Sequence, residues 1–222
     1  MSVTIDYSRQ GHWFVGYQFN KQVHVIGVGA TGSFVAYQLA KMGVRQLHIW
    51  DYDQVEEHNI ANQVYGLSDV GKNKVDALKE RIIADTGIEV TAHNEKVTSA
   101  TKDRLVGIVY VLVDSMSARK EIFSALKFNP RIELIVETRM SIDCGRIYNV
   151  NPMNMEMVQK YEKTLYEDDV AEVSFCGSSL SIIPTAMNIA SLASWSVIKN
   201  YRGLEQIFET ILDYNNNNVI VF

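Results

Sequence analysis

Short, continuously apolar runs alternate along the chain with longer stretches in which apolar residues recur every three or four positions. Residues 22–27 (QVHVIG) read as a strand, the periodic Phe34, Leu39 and Met42 as a helix closed by Gly43, and residues 46–50 (QLHIW) as a second strand ending at Asp51. After a polar loop, Val75, Leu78, Ile82 and Ile83 mark an amphipathic helix stopped by Gly87. The rhythm continues with a strand near 89–93, a short helix near 101–106, an apolar strand over 108–113, a helix over 117–128 and an apolar strand over 134–137. Such runs suit strands covered on both faces, hence a parallel sheet with helices on both sides.

Beyond Arg139 the pattern changes. Residues 146–150 (RIYNV) alternate, predicting antiparallel pairing, and 151–169 form a Met-rich, acidic connection. A long Ser-rich buried helix is expected over 181–200, then a terminal hairpin turning through four asparagines, which tolerate positive φ. The fold class is therefore α/β, a Rossmann-like, doubly wound and mostly parallel sheet with antiparallel strands and a terminal hairpin in its C-terminal third. With no composition shift to mark a linker, residues 1–222 read as one domain: an N-terminal arm (1–20), a nucleotide-binding part (21–150), and a crossover, buried helix and hairpin (151–222).

Composition narrows the class. The 222 residues are 47% hydrophobic with a net charge of −5, which argues against binding nucleic acid through a basic surface. Residues 173–198 carry no charge, but recurrent Ser, Pro184 and Asn188 favour a buried helix over a bilayer span. No apolar leader opens the chain, so a cytoplasmic protein is expected. Two cysteines, Cys144 and Cys176, cannot supply a four-thiolate zinc site, and so few argue against a disulfide scaffold.

Chemistry first shows at Gly27, Gly29 and Gly32, a G-x-G-x-x-G turn between strand and helix. There, absent side chains let backbone N–H groups approach a phosphate at a helix N-terminus. Asp51, at the end of the next strand, is placed to accept hydrogen bonds from ribose. Together they indicate a nucleotide without choosing which; a nicotinamide-dependent oxidoreductase would share them.

The loop DYDQVEEHNIANQVYGLSDVGKNK separates these options. Its Asp51, Asp53, Val55, Asn59, Gln63, Gly71 and Lys74 resemble the ThiF/MoeB/HesA superfamily, the bacterial relatives of ubiquitin-activating enzymes, with their D-x-D-x-V, N-x-x-R-Q and V-G-x-x-K segments. The resemblance covers about the first 150 residues well and the remainder loosely. It implies that the glycine turn and the strand-end acid, with Asp53, Asn59 and Gln63, hold ATP, and that the reaction adenylates the C-terminal carboxylate of a small ubiquitin-like protein or peptide. Lys74 is then the lysine placed on the phosphates, and Asp114, opening D-x-x-x-x-R (Asp114 to Arg119), the Mg²⁺ ligand; Asp114 could equally cap the following helix. Tyr7-Ser8-Arg9-Gln10 resembles Y-x-R-Q, whose arginine reaches the partner's phosphates across a homodimer; a surface arginine is the plainer reading. Arg119 is expected to be structural.

Two departures accompany the match. Asn62 stands where the superfamily usually has Arg, so one cation near the phosphates is missing, and the paired C-x-x-C zinc motifs are absent. Cys176 is a possible reactive thiol or a small buried hydrophobe. Met153, Met155 and Met157, with Val158 and Tyr161, either form an adaptable partner surface or cover the sheet. An activating enzyme, a non-catalytic or attenuated activating-enzyme-like subunit, and a nicotinamide oxidoreductase are the three readings carried forward.

Overall fold

A computed structural model describes residues 5–167 and 181–222. One eight-stranded sheet runs in the order β3-β2-β1-β4-β5-β6-β7-β8. β1 (Val23–Ile26), β2 (Leu47–Trp50), β3 (Thr91–His93), β4 (Gly107–Val111) and β5 (Ile132–Met140) are parallel. β6 (Cys144–Val150), β7 (Glu209–Asp213) and β8 (Asn218–Val221) add on antiparallel, the last two as the expected hairpin. The strand order therefore reverses between β1 and β4, and the crevice beyond their carboxyl ends is where open α/β sheets accept ligands.

Helices cover both faces. α1 (Ala30–Lys41), α2 (Lys74–Thr86) and α5 (Ile183–Arg202) pack through Val35, Leu39, Leu78, Ile82, Ile189 and Val197 onto one face. α3 (Met116–Leu126) and α4 (Met155–Glu162) pack Ile122, Phe123, Val158 and Tyr161 onto the other. α2 ends where expected, with Gly87 left-handed at φ 69°. The segment before β1 is packed rather than loose, since Phe14 and Phe19 are buried against each other and Tyr201.

Several expectations are corrected. The region 101–106 holds only a 3-10 turn, Lys102–Arg104. β6 does not alternate in burial, because α4 and α5 cover its two faces. The connection after Val150 contains α4, whose Val158 and Tyr161 cover the sheet while Met153 and Met155 stay exposed. α5 is buried along one side only, with Met187 and Trp195 open to solvent. Residues 168–180, including Cys176, lie outside the described residues.

β5 extends the expected strand 134–137 at both ends, to Ile132 and Met140, and its Glu137, Thr138 and Arg139 are all buried. Glu137 is wholly inaccessible and pairs with both Arg119 and Arg139, and the Tyr161 hydroxyl donates to it at 3.2 Å. Arg119 also donates to the carbonyls of Val113 and Thr138, while Arg139 donates to the carbonyl and hydroxyl of Thr164 at 2.7 and 2.8 Å. One carboxylate thus fixes the ends of β4 and β5 against α3 and α4. Burial lowers Arg119 to about 10, still protonated at neutral pH.

On the β1–β2–β3 side, His24, His48 and His93 stack, with Trp50 lying 3.7 Å from the His93 ring. Arg104 donates to His93 Nδ1, so the Nε2 hydrogen of His93 points to His48 Nδ1 at 3.2 Å; Trp50 Nε1 donates to His24 Nδ1. Burial holds these imidazoles neutral, lowering His24 to about 3 and His93 to about 4.

Glu137→Gln leaves two buried guanidinium groups uncompensated and should cost ~3 kcal/mol or more in chemical denaturation; a loss below about 1 kcal/mol would show that the pairs are replaceable. Because the folded histidines hold protons less readily than the unfolded ones, whose ordinary value is 6.5, stability is full above that pH and falls toward pH 4. The urea midpoint should accordingly be lower near pH 5 than near pH 7, and an equal or higher midpoint at the lower pH would contradict the burial of neutral imidazoles.

Candidate functional site

The carboxyl ends of β1, β2 and β4 open onto a cleft of about 750 Å³. Its first wall is the glycine turn. Gly27 adopts φ 85°, and a Cβ there would stand 2.7 Å from the Leu112 carbonyl oxygen; at Gly32 one would stand 1.9 Å from the Gly27 oxygen. These two glycines permit close packing of strand and helix. Gly29 differs: it precedes α1 with nothing within 4 Å of its missing Cβ, so the open backbone is the part an anion can reach. Gly27 and Gly29 line the cleft, whereas Gly32 sits behind it.

Asp51 joins this turn to the second wall. One carboxylate oxygen accepts from the Val28 amide at 2.8 Å and the other from the Asp53 amide at 2.9 Å. Burial pushes its carboxyl up, opposed by the backbone donors and by Lys74. The following loop folds back on itself: Val55 and Lys72, then Gly71 and Val55, are joined through their backbones, with Gly71 at φ 87° making the reversal. That return delivers Lys74 to the cleft. Its side chain is 10% exposed and its ammonium lies 3.0 Å from Asp53, so it is a buried, paired group and not a solvated lysine.

The rest of the wall comes from the 3-10 turn Glu57–Asn59 and the residues after it. Asn59 Oδ1 is spent on the Glu56 amide at 2.9 Å, which makes Asn59 a local brace within the lining. Asn62 donates to the Ser181 hydroxyl, tying this turn to the residues leading into α5. Asn62 Oδ1 and Gln63 Oε1 are buried without partners among the described residues, open to a donor from whatever fills the cleft.

Asp114 follows β4 and lies exposed at the cleft. It does not cap α3; Ser115 does, accepting from the Ala118 amide at 3.3 Å. Arg119 is buried and braces the strand ends, so it touches the cleft from below.

Thus Gly27, Gly29, Asp51, Asp53, Asn59, Asn62, Gln63, Lys74 and Asp114 converge on one cleft. Arg9 does not; it is exposed in the 3-10 turn Ser8–Gln10, near the other end of α1, where Tyr7 packs on Gly43. Sequence reasoning missed Arg139, Lys96, Tyr166 and Ser181, which also line the cleft. Only Arg139 left a trace, as a charge two residues from Glu137 at the end of an apolar run. Among the described residues no three His, Cys, Asp or Glu side chains converge as a metal-binding group, and no helix is long and apolar enough to cross a membrane.

The ThiF family profile matches residues 17–221. The chain is 28% identical over 149 residues to ubiquitin-like modifier-activating enzyme 5 of Caenorhabditis elegans, covering 60% of this chain and 35% of that protein. It is 45% identical over 64 residues to tRNA threonylcarbamoyladenosine dehydratase of Bacillus subtilis, covering 28% and 25%. The chain therefore spans about a third of the curated relatives it matches first. Among solved structures it is similar to PaaA (TM-score 0.74, 23% identity, 92% of this chain and 73% of that one). It is also similar to Escherichia coli MccB crystallised with ATP (TM-score 0.70, 18% identity, 91% and 63%). At these identities the structures attest the fold alone, while the family profile spans nearly the whole chain: the protein belongs to the ThiF family.

Proposed function

We propose that this protein is an ATP-dependent adenylyltransferase that activates the C-terminal carboxylate of a small ubiquitin-like protein or peptide as an acyl-adenylate, acting in the cytoplasm as a homodimer. The observation that carries the reading is the convergence of an open glycine backbone, a strand-end acid, a buried lysine and an unspent aspartate on one cleft. Membership in the ThiF family supports it, as do relatives named for ubiquitin-like modifier activation and a structural neighbour, MccB, crystallised in one case with ATP and in another with AMPCPP and MccA.

In this reading the Gly29 backbone and the start of α1 receive phosphate oxygens, and Asp51 faces the ribose. A carboxylate oxygen attacks the α-phosphorus while the bond to the bridging oxygen breaks and pyrophosphate departs. Anion meets anion, so positive charge must be supplied. Five carboxylates line the cleft (Asp51, Asp53, Glu56, Glu95, Asp114) against four cations (Lys74, Lys96, Arg119, Arg139), and both arginines are committed to Glu137. The donor set fits Mg²⁺: Asp114 offers a hard oxygen ligand at the cleft, and a magnesium site normally completes its shell with phosphate and water. That ion would neutralise the leaving pyrophosphate. Lys74, already aimed into the cleft by Asp53, exchanges carboxylate for phosphate when the nucleotide enters.

Asn62 favours a second reading, an attenuated or non-catalytic subunit that binds nucleotide or a partner. Its amide bonds Ser181 and brings no charge to the phosphates. The NAD-linked alternative gains no support from the cleft, whose distinctive groups are charged.

Isothermal titration with Mg·ATP and with NAD tests the nucleotide: Mg·ATP should bind, EDTA should abolish binding, and NAD should not compete. Lys74→Ala and Asp114→Ala should each reduce Mg²⁺-dependent pyrophosphate exchange by about 100-fold or more, the scale of losing an electrostatic contact to a transition state; wild-type exchange in both would refute the assignments. For Asn62→Arg, a gain of about tenfold in adenylation marks an attenuated site, whereas an unchanged rate means that the charge is supplied elsewhere.

A further inference from the structure

A depression of about 450 Å³ lies at the far end of the sheet from the cleft. Lys102 and Asp103 line it from before β4, Lys127, Phe128 and Asn129 from after α3, and Arg131 from before β5, so it opens at the amino ends of β4 and β5. Phe128 is out of place there. Lys127 has φ −59° and ψ 140°, Phe128 has φ 60°, and the Asn129 amide donates to the Leu126 carbonyl at 3.1 Å, which makes residues 126–129 a type II turn. The third position of such a turn calls for glycine, and a bulky side chain is strained in it. The backbone role of Phe128, donating its amide to the Pro152 carbonyl at 3.0 Å, is one that glycine would fill equally. Nor does its ring close the core: it is 47% exposed and, among the described residues, packs in neither buried apolar cluster. A strained position that holds an aromatic ring half in solvent points to a contact made there.

Charge surrounds that ring. Lys102 and Arg131 are exposed and Lys127 partly so, against Asp103 as the one acid of the lining. Arg131 lies 3.2 Å from Asp103, and Lys127 lies 2.6 Å from Glu162. Both pairs face water, where such bonds are weak enough to be exchanged for a ligand's carboxylates. The lining is thus net positive on a chain of net charge −5. Apolar surface continues beside it, because exposed Met153 follows the Pro152 that accepts the Phe128 amide. Aromatic rings, Met and Arg are the types that protein interfaces concentrate, and Met adapts to the partner it meets.

We infer that this depression docks an acidic segment of a partner protein, whose carboxylates meet Lys102, Lys127 and Arg131 while a large apolar side chain packs on Phe128 and Met153. Charge complementarity selects this occupant. A nucleic acid would bring a phosphate at every residue to a surface with three cations on an acidic protein, and a small inorganic anion would make no use of the ring. A short segment with a few carboxylates and one apolar anchor uses both. Since the depression and the cleft lie at opposite ends of the sheet, the partner can be held while the cleft stays open. The inference rests on the turn and the lining, and not on the adenylation reading.

The test is selection of random dodecapeptides displayed on phage against the full chain, after removal of those that also bind Phe128→Gly. The peptides retained should combine several Asp or Glu with one large apolar residue. A synthetic copy of the most enriched should bind the native chain about tenfold or more tightly than it binds Phe128→Gly or Lys102→Glu, the scale of losing an interface hot spot. Glycine suits the turn, and Lys102 is exposed, so far-ultraviolet circular dichroism should be unchanged in both. If the glycine variant folds poorly, Lys102→Glu serves for the removal step and carries the comparison by itself. No retained peptide, retained peptides without an acidic excess, equal binding to Lys102→Glu, or displacement of the peptide by a thymidine oligonucleotide would each overturn the inference. Peptides that enter the cleft are discarded in the removal step, so failure here is distinguishable from failure of the proposed function.

Discussion

The carboxylate of Asp51 is the joint on which the cleft depends. It stands where β2 ends, and its two oxygens accept one amide from the glycine turn and one from the loop that carries Asp53. That brace adds to the Gly27 amide's bond to the Trp50 carbonyl and the Tyr65 hydroxyl's bond to the Val28 carbonyl, which join the same segments. With it, the open backbone at Gly29 and the ammonium of Lys74 face the same volume. The carboxyl lies in a partly desolvated place where burial works against its charge, so its amide donors and Lys74 hold the carboxylate there as much as it holds them.

A second fixed charge works from behind. Glu137 lies beneath the cleft floor, and its two arginines hold strand-end carbonyls and the residues after α4. This explains why a cleft lined by two arginines need not be a strongly positive one: their charge is largely cancelled below. Under the adenylation we propose, positive potential for a triphosphate would fall to Lys74, to Lys96 and to a cation held by the oxygen donors. Asn62 is tied by its amide to Ser181 at the entrance to α5 and adds no charge to the cleft.

α5 connects these features to the molecular surface. One side closes the sheet through Ala186, Ile189, Ala193 and Val197, and the other leaves Met187 and Trp195 in solvent. A helix that is apolar on more than one side can bury only one of them by packing on its own sheet. The N-terminal segment extends the same surface, because Arg202 stacks on Trp13.

Much was legible in the order of residues because it is local. Two-sided burial made β1, β2 and β4 predominantly apolar, with His24 and His48 the exceptions, Gly87 stopped α2, and the asparagine run made the hairpin turn. The glycine turn and Asp51 could be named because their spacing reflects a single βαβ unit, and Lys74 and Asp114 because they match motifs of the superfamily the sequence resembles. What depends on segments far apart in the chain could not be read. Arg139 meets Thr164, after α4, only through the packing of strand and helix. The three histidines, spread over β1, β2 and β3, stack only because those strands are neighbours in register. Periodicity in a sequence records which side of an element is buried; it does not record which other element does the burying, and that choice, made in three dimensions, decided the electrostatics of the cleft and the open face of α5.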